Sequence, residues 1–130
     1  MTEIDLKVSS GGRFERLGSY SRVRRVGAAV FVAGTTAIES SGRLHAPGDC
    51  YAQTRFILAR IADWLSEAGA SLDSVVRTRA YLVAGADVAA FARAHGEVFA
   101  GIEPVCTAIG GAVLTMPGMV VEIEAEAIVR

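Results

Sequence analysis

The chain has little of what builds crosslinked, metal-bound or membrane-spanning proteins. Two cysteines in 130 residues, Cys50 and Cys106, are too few for a disulfide framework or a thiolate metal cluster. No excess of charge is present. Lys plus Arg is 13, Asp plus Glu is 14, and the net charge is −1. This leaves no global electrostatic footprint for nucleic acid or an anionic membrane. The first ten residues carry Glu3, Asp5 and Lys7 and lack the apolar stretch of a secretory signal, so a reduced, cytoplasmic setting is expected. One uncharged run, Pro104 to Val121, approaches the length of a membrane span. Pro104, Gly110, Gly111, Pro117 and Gly118 break it, so it reads as a strand, a turn and the start of a second strand. No membrane contact is expected.

What is present is apolar. Hydrophobic residues make up 52% of the chain and charged ones 21%, which excludes disorder and fits one folded domain over residues 1–130. A domain of this length buries only about two-thirds of its chain surface. The apolar excess is therefore expected to serve subunit contacts.

Hydrophobic periodicity orders the elements. Phe14 to Ser21 reads as a short first strand, after an arm loosened by Ser9-Ser10-Gly11-Gly12. Val26 to Ile38 reads as one buried strand. Asp49 caps a helix running to about Ala68, with Tyr51, Leu58, Ile61, Trp64, Leu65 and Ala68 on one stripe and Gly69 just beyond it. Val75 to Val83 is a strand, with Val76, Thr78, Ala80 and Leu82 on one face and Val75, Arg77, Arg79, Tyr81 and Val83 on the other. Asp87 caps a second helix, to about Phe99, whose stripe is Val88, Phe91, His95 and Val98. Val105 to Val113 and Val120 to Val129 are strands. In the last one Val121, Ile123, Ala125 and Ala127 oppose Glu122, Glu124 and Glu126. This order predicts an α+β fold, a mixed sheet with both helices on one face. The other face is expected to carry Arg77, Arg79, Cys106, Ala108 and the three glutamates.

Tyr20-Ser21, Val30-Phe31-Val32-Ala33-Gly34-Thr35, Gln53-Thr54-Arg55, the run Ala68 to Thr78 and the closing Val121 to Ala127 follow one another in a recognisable order. This set resembles the RidA family, also called YjgF/YER/UK or endoribonuclease L-PSP, over Leu17 to Arg130. The resemblance implies a chorismate-mutase-like fold and a homotrimer with ligand clefts between subunits. It implies hydrolysis of enamines and imines such as 2-aminoacrylate, with no metal or organic cofactor. Tyr20, Gly34 and Glu122 match family site positions. The family arginine that holds the substrate carboxylate lies two residues after a proline. Here Pro104 is followed at that distance by Cys106, and Ala108 stands where the family has a cysteine. The scaffold is kept and the main anchor is replaced, which places the chain in a divergent branch.

Each candidate has a catalytic and a structural reading. Glu122 positions a water for attack on an imine carbon, or it pairs with Arg77 or Arg79. Tyr20 hydrogen-bonds the ligand, or it is an interface tyrosine. Gly34 brings backbone close to a ligand, or it marks a bulge. Cys106 and Ala108 line the substrate pocket in place of the family residues, and Cys106 is better read as a small buried hydrophobe than as a nucleophile. Arg79, with Arg77, is the candidate replacement cation. His95 reads as a core or boundary histidine and His45 as solvated. Arg22, Arg24 and Arg25 lack interleaved aromatics and read as a solvated or subunit-bridging edge, so no nucleic-acid partner is expected. Three functions remain open: a small-molecule hydrolase acting on C–N bonds, a non-catalytic trimeric metabolite binder, and a protein-protecting module. Weak or absent turnover of 2-aminoacrylate is expected, because Cys106 offers neither the charge nor the two parallel hydrogen bonds of arginine.

Overall fold

A computed structural model describes residues 3–130. Its elements are β1 (Asp5–Val8), α1 (Arg13–Gly18), β2 (Val23–Val26), β3 (Ala29–Thr35), α2 (Cys50–Glu67), β4 (Val75–Val83), α3 (Val88–Val98), β5 (Val105–Ala112) and β6 (Val121–Ile128), with a 3-10 turn at Leu72–Ser74 before β4. The strands form one mixed sheet in the order β1-β2-β3-β6-β4-β5. Only β4 and β5 run parallel, joined through α3, as a parallel pair requires a crossover. Helices α2 and α3 cover one sheet face. Ile57, Leu58, Ile61 and Leu65 of α2 are fully buried there against Val30, Ala80, Val121 and Ile123.

Both helix starts follow from their caps. Asp49 accepts from Ala52 N at 2.9 Å and Asp87 from Ala90 N at 3.0 Å. The end of α2 is set by Gly69 at φ +75°. The guanidinium of Arg25 donates to Ala68 O at 2.8 Å and satisfies an orphan carbonyl there. Gln53 is fully buried on α2. Its amide donates to Ala46 O and Gly118 O and accepts from Val120 N at 3.0 Å, clamping two loops.

Four expectations about the strands change. The segment expected as a strand at Phe14 to Ser21 is instead helix α1. The carboxylate of Glu15 accepts from Ser9 Oγ and from Ser10 N and Oγ, which folds the Ser-Gly arm back onto the helix. The edge position it would have filled belongs to β1. Second, Val26 to Ile38 is not one strand. Gly27, at φ +58°, turns the chain between Val26 and Ala29, making the hairpin β2–β3. Third, β4 carries an irregularity between Val75 and Arg77. It reverses the side-chain parity, so Val75 is buried and Val76 exposed, while Thr78, Ala80 and Leu82 keep the helix side. Fourth, Cys106 and Ala108 do not share a face with Arg77 and Arg79. They pair with Thr78 and Ala80 and therefore lie on the helix side.

The second helix also differs in detail. Val88 is exposed, and the inward residues are Ala90, Phe91 and Ala94. His95 is half-buried between Phe91 and Phe99, with Nε2 at 2.8 Å from Thr78 Oγ1. Burial holds its pKa below 6.5. His45 is not simply solvated. It stacks on Phe56 and its Nδ1 lies 3.1 Å from Glu39. Among the described residues no helix is long and apolar enough to cross a membrane.

Candidate functional site

Strand β6 carries three glutamates on one face, and their surroundings separate them. Glu124 and Glu126 lie among cations. Arg79 Nη1 is 2.7 Å from Glu124 and 3.4 Å from Glu126, and Arg77 Nε is 3.7 Å from Glu126. Tyr81 donates its hydroxyl to Glu124 at 3.2 Å. The hydrogen bond to Glu124 raises the pKa of Arg79 further. Arg77, Arg79, Glu124 and Glu126 line a small depression of about 180 Å³ with Phe31 and Val32.

Glu122 lies elsewhere, where β3 ends and β6 begins. Its carboxylate rests over the backbone of Gly34. A Cβ at position 34 would sit 2.9 Å from Glu122 Oε2, so any side chain there would push the carboxylate aside from its present position. Burial pushes the Glu122 carboxyl above its ordinary value of 4.5. The charge of Arg22 opposes the shift and that of Glu124 adds to it. Among the described residues Glu122 forms no ion pair.

Tyr20 reaches the same place from the other side. Helix α1 ends with Ser19 in the left-handed region at φ 56°, and Tyr20 N donates to Glu15 O at 3.0 Å. The ring lies against Gly18, where a Cβ would meet it at 2.9 Å. Two residues on, Arg22 is fixed by its backbone, N to Val8 O at 2.9 Å and O from Ala33 N at 3.0 Å. Its guanidinium lies 5.8 Å from the ring centre of Tyr20 and 5.5 Å from that of Trp64. Its Nε is buried without a protein acceptor.

Tyr20, Arg22, Gly34 and Glu122 thus line one cleft of about 600 Å³. Thr36 and Thr115 add hydroxyls, and Phe14, Leu17 and Val113 add an apolar wall. Phe14, Leu17 and Val113 are 61%, 75% and 96% exposed in the single chain. Of the residues expected at the site, Tyr20, Gly34 and Glu122 come together. Arg79 belongs to the paired group on the open sheet face. Cys106 and Ala108 are exposed on the edge strand β5, and neither lines the cleft within one chain. Cys106 is therefore not the buried hydrophobe expected of it. Among the described residues no three His, Cys, Asp or Glu side chains cluster as metal ligands.

Arg22 was not singled out by the sequence. It was grouped with Arg24 and Arg25, yet each has a different role: Arg24 pairs with Asp5 and Arg25 caps α2. The available signal was the two-residue spacing from Tyr20, which in an extended segment puts both side chains on one side.

Residues 11–129 match the family Endoribonuclease L-PSP, and the chain belongs to it. The chain is similar to Rv2704 of Mycobacterium tuberculosis, a member of the YjgF/YER057c/UK114 family. The two share 40% identity and a TM-score of 0.83, over 97% of this chain and 100% of that one. It is 37% identical to an uncharacterized Streptomyces coelicolor protein, over 82% of this chain and 78% of the other. A RutC family protein of Pyrococcus abyssi is 36% identical, over 72% and 73% respectively. The fold agrees as well with a Thermotoga maritima structure at a TM-score of 0.79 and 22% identity, over 100% of this chain and 99% of that one.

Proposed function

We propose that the protein hydrolyses small imines or enamines to the carbonyl compound and ammonia in this cleft. The observation that carries the reading is the Glu122 carboxyl, unpaired, half-buried and raised in pKa, lying over the Gly34 backbone in the cleft that Tyr20 also lines. A carboxyl titrating nearer neutrality can both take and return a proton. Glu122 removes a proton from water as its oxygen bonds to the imine carbon. The imine nitrogen takes that proton, giving the neutral carbinolamine. Glu122 then moves the hydroxyl proton to the same nitrogen, the C–N bond breaks, and ammonia leaves as the C=O bond forms (an enamine first takes a proton at carbon and enters as the imine). Neither histidine lines the cleft, which disfavours an acid–base pair for RNA cleavage.

The active assembly is proposed to be a homotrimer. Strand β5 supports this. It is an unprotected sheet edge whose Val105 and Ile109 are 59% and 47% exposed, and natural edges left this bare are normally covered. In that assembly Cys106 and Ala108 of a neighbouring copy are candidates to complete the cleft, and the ligand is a small molecule bound without a cofactor.

Ammonia release from 2-imino acids generated in situ by an amino-acid oxidase tests the reading. Glu122→Gln is expected to lower the rate about a hundredfold or more, within the ~10²–10⁴ range of general acid–base groups. Saturable ligand binding without any turnover would favour the alternative, a trimeric metabolite-binding protein.

A further inference from the structure

We infer that Arg22 is the cation that holds an anionic ligand in this cleft, and that the group it takes is a carboxylate. The inference rests on the cleft being a small-molecule site and names which side chain orients the ligand there. Three arginines compete for the role. Arg77 and Arg79 are each engaged by Glu124 or Glu126 on the open sheet face, and neither lines the Glu122 cleft. Arg22 does line it, and among the described residues it forms no ion pair. Glu122 and Glu15 both feel its charge, yet neither closes on it.

The way Arg22 is held explains this. Its guanidinium lies by the rings of Tyr20 and Trp64, and its backbone is tied to β1 and β3. At these distances the rings give the guanidinium a cation–π attraction and no carboxylate acceptor, which leaves N–H donors for a ligand. A carboxylate matches the guanidinium fork with two parallel bonds. Nε, one of those donors, is buried without a protein acceptor. The charges of the cleft then alternate along a bound molecule: its carboxylate on Arg22, its reacting C–N carbon at Glu122. Its side chain falls against the apolar wall of Phe14, Leu17 and Val113. In this reading the cleft's cation comes from Arg22, immediately before β2.

The test measures binding by calorimetry, with 2-oxobutyrate as the carboxylate probe and its neutral amide as the control. For the wild type the carboxylate is expected to bind at least about tenfold tighter than the amide, and added salt to narrow the gap. Arg22→Gln is expected to abolish the difference, Arg22→Lys to retain part of it, and Arg79→Gln to leave it unchanged. Trp64 fluorescence checks that each variant is folded. A variant that does not fold leaves the wild-type carboxylate–amide comparison to decide. Equal affinity for carboxylate and amide in the wild type, or a preference that survives Arg22→Gln, overturns the inference. Carboxylate binding that depends on Arg22 but is accompanied by no imine turnover upholds the inference and fails the hydrolase reading. Turnover that depends on Glu122 but not on Arg22 does the reverse.

Discussion

Two ends of one strand face hold carboxylates in opposite ways. At the far end of β6, Glu124 and Glu126 are matched by Arg77, Arg79 and Tyr81, and the charges close on one another. At the near end, Glu122 and Arg22 share a cleft without pairing. The first arrangement satisfies itself and leaves nothing for a ligand. In the second a cation and a carboxyl stay unpaired, Arg22 lying near two aromatic rings and Glu122 over the Gly34 backbone. Unpaired groups of shifted pKa in a concave site are the usual mark of chemistry, whereas paired ones are the usual mark of structure.

The largest effect should come from removing the support under Arg22. Trp64 is 8% exposed and packs in the core beneath the guanidinium. Trp64→Ala is expected to cost about 3–5 kcal/mol in urea unfolding and to weaken carboxylate binding as well. A loss below about 1 kcal/mol would mean the ring does not pack as described.

Gly34→Ala should be next. The added methyl displaces the Glu122 carboxylate, and the imine turnover proposed above should fall about tenfold or more while the fold survives. Turnover equal to wild type would mean that the closeness of Glu122 to this backbone is irrelevant.

The pH profiles separate the two regions further. A general base must be ionised, so the acid limb of kcat/KM should lie above 4.5, displaced by the burial of Glu122. Arg22→Gln removes a charge that favours the ionised form and should move that limb higher still. Arg79→Gln should leave it in place. Folding stability carries a separate signal from His95, whose pKa is lowered by burial. That contribution is complete above about 6.5 and is lost as pH falls from there through the lowered folded value. Thermal melts should show this acid-side loss, and His95→Gln should flatten it. The smallest effect belongs to the paired face: Glu124→Gln should change imine turnover by less than about twofold.

Much of this was legible in the residues. The bounds of β4, both helix caps, the alternation of β6 and the meeting of Tyr20, Gly34 and Glu122 follow from period, cap chemistry and family likeness. The losses have local causes. Helix α1 is only six residues long, held by side-chain contacts to Glu15 that no periodicity reveals. The β2–β3 hairpin was not visible because β2 (Val23–Val26) carries Arg24 and Arg25 rather than an apolar pattern, and Gly27 turns the chain into β3 within two residues. Positions 106 and 108 went to the wrong face because register between neighbouring strands is a tertiary fact. Arg22 was hidden because three arginines close in sequence look alike until their partners are seen.

The most direct test of the comparison is a carboxyl titration by NMR of protein carrying ¹³C-labelled glutamate, with Glu122→Gln used to assign the resonance. The account predicts that Glu122 titrates above 4.5 in the wild type and higher still in Arg22→Gln. A Glu122 that titrates at or below 4.5, or that does not respond to loss of Arg22, would contradict it.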